Sequence, residues 1–177
     1  NSLTYSSLAV ILIVLVGTSA AYVISRKRLP GLDLIDVAVT IPIAIPGIIV
    51  ALGYFVFFSS PAFKGTVLDV LQNPGLLLVF SYTVRRLPFT ARAVYAGLQQ
   101  THVSLEEASL CLGASRLQTF TRIVVPLIAA NIIGGALLSF VYCMSEVSTS
   151  ITLASFKPPQ GTITFYMSSV ISGGKVG

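Results

Sequence analysis

Residues 3–24 read LTYSSLAVILIVLVGTSAAYVI and contain no charged side chain, whereas Arg26, Lys27 and Arg28 follow almost at once. A helix of about 20 apolar residues is long enough to cross the hydrocarbon core of a bilayer. A cleaved signal peptide carries its positive charges before the apolar run, not after it. The stretch therefore predicts a membrane-spanning helix that ends at a basic cluster.

The composition of the 177-residue chain also favours a membrane protein. Hydrophobic residues make up 54% and charged residues only 10%, whereas a soluble domain usually has about a quarter charged residues. A chain this apolar is not expected to be disordered. Its 11 Lys and Arg residues fall in short groups between uncharged stretches, which argues against a nucleic-acid partner.

Residues that could hold a metal are few and scattered. His102 is the single histidine, and Cys111 and Cys143 lie far apart without a CxxC spacing. Unpaired thiols of this kind usually behave as small apolar side chains. The sequence therefore predicts neither a disulfide nor a metal site.

Residues 35–58 predict a second span that contains Pro42 and Pro46. Membrane helices tolerate proline because neighbouring helices can satisfy the freed backbone groups. The resulting bend either lies on a pathway through the protein or is a static kink. The segment 61–75, with Pro and Gly at both ends, is expected to form an external loop.

A third span, over residues 75–97, contains Arg85 and Arg86. The apolar run before them is too short to cross a bilayer, so the helix either starts earlier, near Val67, or continues past Pro88. We favour continuation. Because buried arginines are costly, these two side chains should reach the interface or face water or another helix.

A fourth span, over residues 126–146, ends near Glu146, and the mixed segment 148–177 is expected to lie outside the membrane. Small residues recur along this span and let helix backbones approach closely; they are Ala129, Ala130, Gly134, Gly135 and Ala136.

The distribution of basic residues predicts the orientation of the chain, because cytoplasmic loops are enriched in Lys and Arg. One side carries eight and the other three, namely Lys64, Lys157 and Lys175. The eight are Arg26, Lys27, Arg28, Arg85, Arg86, Arg92, Arg116 and Arg122. The loop 98–125 is therefore predicted to be cytoplasmic. Since the chain starts on a span and stops without a closing one, we expect it to be a fragment of a longer polytopic protein.

Residues 104–126 read SLEEASLCLGASRLQTFTRIVVP. Ser104 with Glu107, and Ser115 with Gln118, each have the spacing of a capping box, in which two side chains satisfy backbone N–H groups at a helix start. The first helix is predicted over 105–112, ending at Gly113 in the left-handed conformation. The second helix begins at Ser115, so the segment predicts two short helices on the membrane surface.

This segment resembles the EAA loop of ABC-importer permeases. That motif is Glu-Ala-Ala, three residues, Gly, nine residues, then Ile, any residue, Leu and Pro. Here it is Glu107-Ala108-Ser109, Gly113, Ile123, Val125 and Pro126, in which Ser109 and Val125 are small or isosteric departures. Residues 86–89 (RLPF) and 145–150 (SEVSTS) are similar to the iron(III)-importer branch, with Ser150 at a threonine position and Thr152 interrupting the next apolar triplet.

The resemblance covers nearly the whole chain. It implies an all-α polytopic bundle of transmembrane helices with the type I ABC-importer permease (MetI-like) fold, as a fragment of one six-span repeat. It also implies a multi-pass permease in the cytoplasmic (inner) membrane of a prokaryote, not an enzyme and without a cofactor of its own, since ATP and Mg bind the partner ATPase. The implied partners are two cytoplasmic ATPase subunits, an extracytoplasmic solute-binding protein, the lipid bilayer and a second permease half, which is an identical chain, a paralogue or a fused repeat.

In this family the EAA helix fits a groove on the ATPase, which implies a set of coupling residues: Glu106, Glu107, Ala108, Ser109, Gly113, Ile123 and Pro126. We expect Glu106 and Glu107 to offer charge to a basic partner. Location alone suggests pathway or gate residues, which are Glu146, Ser145, Pro42, Pro46, Tyr82, Arg85 and Arg86. Glu146 is the strongest of these, because an ionisable group at a membrane boundary needs a partner or water; the alternative is an interfacial carboxylate. For Arg85 and Arg86, anionic lipid, the loop and the second half stay open as partners.

The predicted function is solute import, with iron(III) as the first candidate and thiamine, phosphonate, a polyamine, molybdate or sulfate as alternatives. Two other classes compete. A membrane-anchored helix-turn-helix regulator would need a third supporting helix and a basic recognition helix, whereas the second loop helix carries only Arg116 and Arg122 before Pro126. A secondary transporter would leave the EAA spacing unexplained.

Overall fold

The computed structural model describes residues 1–26, 31–69, 71–155 and 157–173. Lys27, Arg28 and Lys175, which enter the predicted orientation, lie outside these ranges. Within them every regular element is helical, which confirms the predicted all-α class. The helices are α1 (Ser2–Arg26), α2 (Leu32–Thr40), α3 (Gly47–Phe58), α4 (Pro74–Gln99), α5 (Val103–Cys111), α6 (Arg116–Thr119), α7 (Val125–Leu127), α8 (Ala129–Met144), α9 (Ser148–Ala154) and α10 (Ile163–Ile171).

Three long helices form the centre of the molecule. α1 and α4 run parallel, because Tyr5 packs on Gly75 at one end and Arg26 donates to the Thr101 carbonyl at the other. α8 runs antiparallel to both. It approaches α4 closely at Gly135, where a Cβ atom would lie only 2.8 Å from the Cα of Thr90. A small residue is required there, as at many interfaces between membrane helices.

Two clusters of buried side chains divide this centre along its length. The cluster near the start of α1 contains Ala9, Ile13, Leu77, Leu78, Val79, Tyr82, Cys143 and Leu153. The cluster near the end of α1 contains Ala21, Val94, Leu98, Val124 and Ile128. We call the second end the α5 end, since α5 and α6 follow α4 there.

By length and composition, α1 is the one helix in the described ranges that could cross a membrane unaided. The number rises to three if two bent pairs each form one span. One pair is Leu32–Ile43 with Gly47–Phe58, bent by 102°, and the other is Arg116–Leu127 with Ala129–Met144, bent by 71°. The predicted second span is therefore not one continuous helix. Pro42 and Pro46 explain the break, because proline has no N–H to donate to a helical carbonyl.

α4 runs without interruption from Pro74 through Pro88 to Gln99. Arg85 and Arg86 are the twelfth and thirteenth of its 26 residues, so they lie in the middle of the helix. They do not belong to the loop with which the orientation count groups them. The excess of basic residues on the predicted cytoplasmic side is thus smaller than the sequence suggests, while its sign is unchanged.

The segment before α4 and the segment after α8 meet at the end opposite α5. The Asp69 carboxylate accepts from the backbone N–H groups of Gly65 and Leu71, both at 3.0 Å, and these bonds lower its pKa. The Lys157 ammonium donates to the Gln72 carbonyl at 2.9 Å. α9 packs against α3 and α4, and the Asn1 amide donates to the Pro159 carbonyl at 2.9 Å. Much of the predicted external segment is therefore folded onto the bundle.

Candidate functional site

The start of α5 differs from the sequence prediction. The helix begins at Val103 with His102 as its N-cap residue, and no side chain of the described residues caps it. Ser104 is thus the second helical residue, and the predicted capping box between Ser104 and Glu107 is wrong. One physical reason is tertiary: the early start lets the side chain of Glu106 reach α1.

The end of α5 confirms the predicted role of Gly113. Its φ is 89°, a left-handed conformation that only glycine adopts without strain. The Ala114 N–H donates to the Ser109 carbonyl at 3.2 Å, and the Gly113 N–H donates to the Leu110 carbonyl at 3.0 Å. These two bonds form a Schellman motif, which satisfies carbonyls at the helix end and reverses the chain.

The second capping box is confirmed at Ser115. Its hydroxyl accepts from the Gln118 N–H at 3.3 Å, and its own N–H donates to the Gln118 side-chain oxygen at 2.8 Å. α6 then passes through a π-helical turn (Phe120–Val124) and α7 before the bend into α8. Ile123 is half-buried in that turn, and Pro126 is exposed in α7.

α5 has one buried and one exposed face. Glu106 and Ser109 face the protein and are each 7% exposed. The opposite face, at helical spacing, is exposed and consists of Ser104, Glu107, Ala108 and Cys111; we call it the outer stripe. The Cys111 thiol is free and exposed, whereas the free thiol of Cys143 is buried.

Glu106 is not available to an outside partner, contrary to the sequence expectation. Its Oε1 accepts from Arg26 Nε at 2.7 Å, and its Oε2 accepts from the Tyr22 hydroxyl at 2.9 Å. Arg26 also donates through Nη2 to the Thr101 carbonyl at 3.0 Å. We call this group the Glu106 cluster. Glu106 is therefore not a free charge in this structure, whereas Glu107 is exposed; the coupling roles predicted for both residues stay predictions.

Ser109 likewise faces inward. Its hydroxyl lies 3.0 Å from the Thr119 hydroxyl, which ties α5 to α6. The departure from alanine at this motif position thus adds a hydrogen bond between the two loop helices. Of the predicted coupling residues, only Glu107 and Ala108 lie on the outer stripe of α5.

Three of the predicted pathway residues meet inside the bundle. Arg85 Nη1 lies 2.7 Å from Glu146 Oε1, and Arg86 Nη2 donates to Glu146 Oε2. Glu146 is 5% exposed, and Arg86 Cζ also lies 5.2 Å from the ring centre of Tyr142. We call these residues the Glu146 triad. It holds two positive charges against one negative charge, and in the described residues the Nε atoms of Arg85 and Arg86 have no hydrogen-bond acceptor.

The remaining pathway candidates lie at varying distances from the triad. Tyr82 is next to it, because its hydroxyl lies 2.5 Å from the Ser150 hydroxyl, which donates to the Glu146 carbonyl at 2.7 Å. Pro46 immediately precedes Gly47, at which an added Cβ atom would lie 2.7 Å from Arg85 Nη1. The hydroxyl of Ser145 is exposed and donates to the Val141 carbonyl of its own helix.

Pro42 lies in a different place. It lines an apolar groove with Tyr54, Phe57 and other side chains of the α3 region.

Sequence reasoning missed Tyr22, Arg26 and Gly47 as site residues. Arg26 could be recognised only as a basic stop, and no local pattern marks the other two.

These features define an all-α integral membrane protein with a capped helical loop at one end and a buried ion triad in its centre. Residues 13–176 match the family of binding-protein-dependent transport system inner membrane components, and the chain belongs to that family. Membership confirms the resemblance to ABC-importer permeases and assigns the chain to the membrane component of a transport system, not to an enzyme.

Several curated relatives are of similar identity. The chain is 31% identical to the ferric transport system permease protein FbpB of Actinobacillus pleuropneumoniae, over 88% of this chain and 22% of the relative. It is 31% identical to the sulfate transport system permease protein CysT of Salmonella typhimurium, over 78% of this chain and 51% of the relative. It is 32% identical to the molybdenum transport system permease protein ModB of Escherichia coli, over 89% of this chain and 71% of the relative. The chain thus spans about a fifth of the ferric relative and half of the sulfate relative.

Proposed function

We propose that this chain is part of the permease of an ABC importer and that α5 couples it to a cytoplasmic ATPase. The observation that carries the proposal is the asymmetry of α5. One face is held against the protein by Glu106 and Ser109, while the outer stripe has no partner among the described residues. A helix that is bound to the protein on one face and exposed on the other can transmit a displacement imposed by a second protein.

The chemistry of the outer surface of the loop suits a protein groove. Glu107 and Ala108 lie on the outer stripe, and Leu112 beside them is 89% exposed. Exposed apolar side chains bordered by polar residues are typical of binding sites for protein partners. Two ATPase subunits, one for each permease half, an external solute-binding protein and the second half complete the proposed assembly in the inner membrane.

The test uses the two native cysteines. A short thiol-reactive cross-linker applied to native membranes should join Cys111 to a P-loop ATPase, and Cys111→Ser should abolish the product. Cys143 serves as the internal control because its thiol is buried. Glu107→Arg should lower the yield of the product while leaving insertion intact. Failure to capture any ATPase from Cys111 would contradict the proposal.

We propose iron(III) as the transported solute. Two ferric transport permeases each align with 88% of this chain at 31% identity, and residues 86–89 resemble the iron(III) branch. A second candidate, a tetrahedral oxyanion, is favoured by the net positive charge of the Glu146 triad. The identities of 31%, 31% and 32% to the ferric, sulfate and molybdenum permeases do not rank the two.

Uptake into vesicles separates these candidates. The complete transporter with its own binding protein is supplied in turn with labelled iron(III), sulfate and molybdate. Saturable uptake of iron(III) alone would support the first candidate, and uptake of either oxyanion would support the second. Uptake should require ATP and stop with vanadate, whereas a secondary transporter would be indifferent to vanadate.

A further inference from the structure

The Glu106 cluster joins three parts of the molecule through one side chain of α1. Arg26, the last residue of α1, donates to Glu106 in α5 and to the Thr101 carbonyl just after α4. Tyr22, one helical turn earlier, donates to the other oxygen of Glu106. Each carboxylate oxygen therefore has a donor, and the first turn of α5 is bound to the ends of α1 and α4 together.

Apolar packing does not hold α5 to α1 in the same way. A cleft of about 400 Å³ lies beside the cluster, lined by residues from both helices and by Arg116 of α6. The packing contacts of α5 are mainly with α6 and the π-helical turn. The carboxylate of Glu106 is therefore the principal bridge across this cleft.

α5 consequently has two separate attachments. At Ser109 it is tied to Thr119 of α6, and α6 continues through the bend into α8. At Glu106 it is tied to α1 and to the end of α4. The peptide connection from α4 into α5 is only three residues long, Gln100–His102. Such a linker still permits α5 to rotate relative to α4, and the ion pair between Arg26 and Glu106 would prevent that rotation.

We propose that the Glu106 cluster is a mechanical latch that transmits displacement of α5 to α1 and α4, in addition to the route through α6 to α8. The proposal rests on the proposed function, because it assumes that an ATPase moves α5. Glu106 is then a positioning residue and does not itself contact the ATPase. Buried ion pairs are suited to this task because separating the two charges in a partly desolvated site is costly.

The experiment measures how many solute molecules enter per ATP hydrolysed, in proteoliposomes that contain the full transporter, its ATPase subunits and its binding protein. Glu106→Gln and Arg26→Gln should each lower this ratio about tenfold, the scale of a typical coupling free energy. Tyr22→Phe, which removes one hydrogen bond and keeps the ion pair, should lower it by only about two- to threefold. Ser25→Ala is the matched control, since its hydroxyl lies beside the cluster without a partner in the described ranges; its ratio should equal that of the wild type.

Two further results distinguish a latch from a general loss of structure. The double variant Arg26→Gln/Glu106→Gln should be no worse than either single one, because both remove the same interaction. The double variant Arg26→Glu/Glu106→Arg exchanges the two charges and should restore part of the solute-to-ATP ratio. If the single variants assemble poorly, this variant is the one that tests the latch. The latch would be overturned if the charge exchange did not restore the ratio. It would also be overturned if the losses of the two single variants added up in Arg26→Gln/Glu106→Gln.

The failure of the latch and the failure of the proposed function are visible separately. Co-purification of the ATPase subunits with the wild-type chain tests the proposed function. If they co-purify and Glu106→Gln leaves the ratio unchanged, the latch alone is overturned. If no ATPase co-purifies, the proposed function falls and the latch with it.

Discussion

Glu106 and Glu146 are two buried carboxylates with nearly the same exposure, 7% and 5%, and with contrasting surroundings. Glu106 has one arginine partner and lies at the α5 end beside an open cleft. Glu146 has two arginine partners, Arg85 and Arg86, and lies beside the middle of α4. The first site is balanced in charge and close to water, whereas the second has an excess positive charge in the centre of the bundle.

The difference teaches that similar burial does not imply a similar role. When the carboxylate of the balanced pair is removed, the single arginine left at the α5 end can turn into the neighbouring cleft and reach water. In the unbalanced triad beside the middle of α4, a single carboxylate has to neutralise both arginines. The comparison predicts that the two glutamates differ sharply in their contribution to stability.

The largest expected effect is therefore that of Glu146→Gln. It leaves two partly buried arginines without a counter-charge, and we expect a loss of about 3–5 kcal/mol in the free energy of unfolding. Glu106→Gln should cost only about 1–2 kcal/mol, since Arg26 can become hydrated. Titration with SDS in mixed micelles measures both. Equal losses for the two variants would remove the basis of the comparison.

Removing one arginine of the Glu146 triad tests whether the excess positive charge is the reason that Glu146 matters for stability. Arg85→Met leaves Arg86 and Glu146 as a neutral pair, and we expect a loss of no more than about 1 kcal/mol. Glu107→Gln, on the exposed outer stripe, should change stability by less than about 0.5 kcal/mol. If Arg85→Met were as damaging as Glu146→Gln, the excess charge would not be the source of the effect.

Packing around the triad provides the next prediction. A Cβ at Gly47 would lie 2.7 Å from Arg85 Nη1 and 3.0 Å from the Cβ of Ser148. Gly47→Ala should therefore displace Arg85 from Glu146, at a cost of about 1–3 kcal/mol in the same titration.

Gly53→Ala, in the same helix, is the matched control. In the described part of the chain no atom lies within 4 Å of its added methyl group, so the variant should gain about 0.5–1 kcal/mol from helix propensity. A neutral result for Gly47→Ala would indicate that the triad tolerates rearrangement and would weaken its contrast with the Glu106 cluster.

Local patterns predicted much of the fold and part of the site. The uncharged run 3–24 predicted α1, and Gly113 and Ser115 predicted the reversal between α5 and α6. Such features depend on residues a few positions apart, whose energetics are set by the backbone itself. The break at Pro42 and Pro46 was predicted as a bend, although not its size of 102°.

The ionic contacts could not be predicted in this way. Arg26 and Glu106 are separated by 80 residues, and Arg86 and Glu146 by 60. Their pairing depends on how α1, α4 and α8 pack, which no local pattern encodes. The same tertiary demand explains the error at Ser104, because α5 starts where Glu106 can reach Arg26 and not where a serine could cap it.

The last prediction concerns local stability and uses the two serines that look alike in the sequence, Ser104 and Ser115. Ser115→Ala removes a capping bond to the Gln118 N–H and should cost about 1 kcal/mol of local stability. Amide hydrogen exchange at Gln118 and Thr119 should accelerate about fivefold, as that free energy requires. Ser104→Ala, within the first turn of α5, should leave exchange in α5 unchanged, because its hydroxyl makes no capping bond among the described residues.

The pair of serine variants also bears on the contrast between the two glutamates. If Ser104→Ala accelerates exchange in α5, the helix is fixed by its own cap and not by Glu106, and the balanced cluster loses its structural role. If exchange in α5 responds to Glu106→Gln and not to Ser104→Ala, the start of the helix is set by its contact with α1. A contact that sets where a helix begins also determines how that helix moves relative to its partner, which is the property that separates the Glu106 cluster from the Glu146 triad.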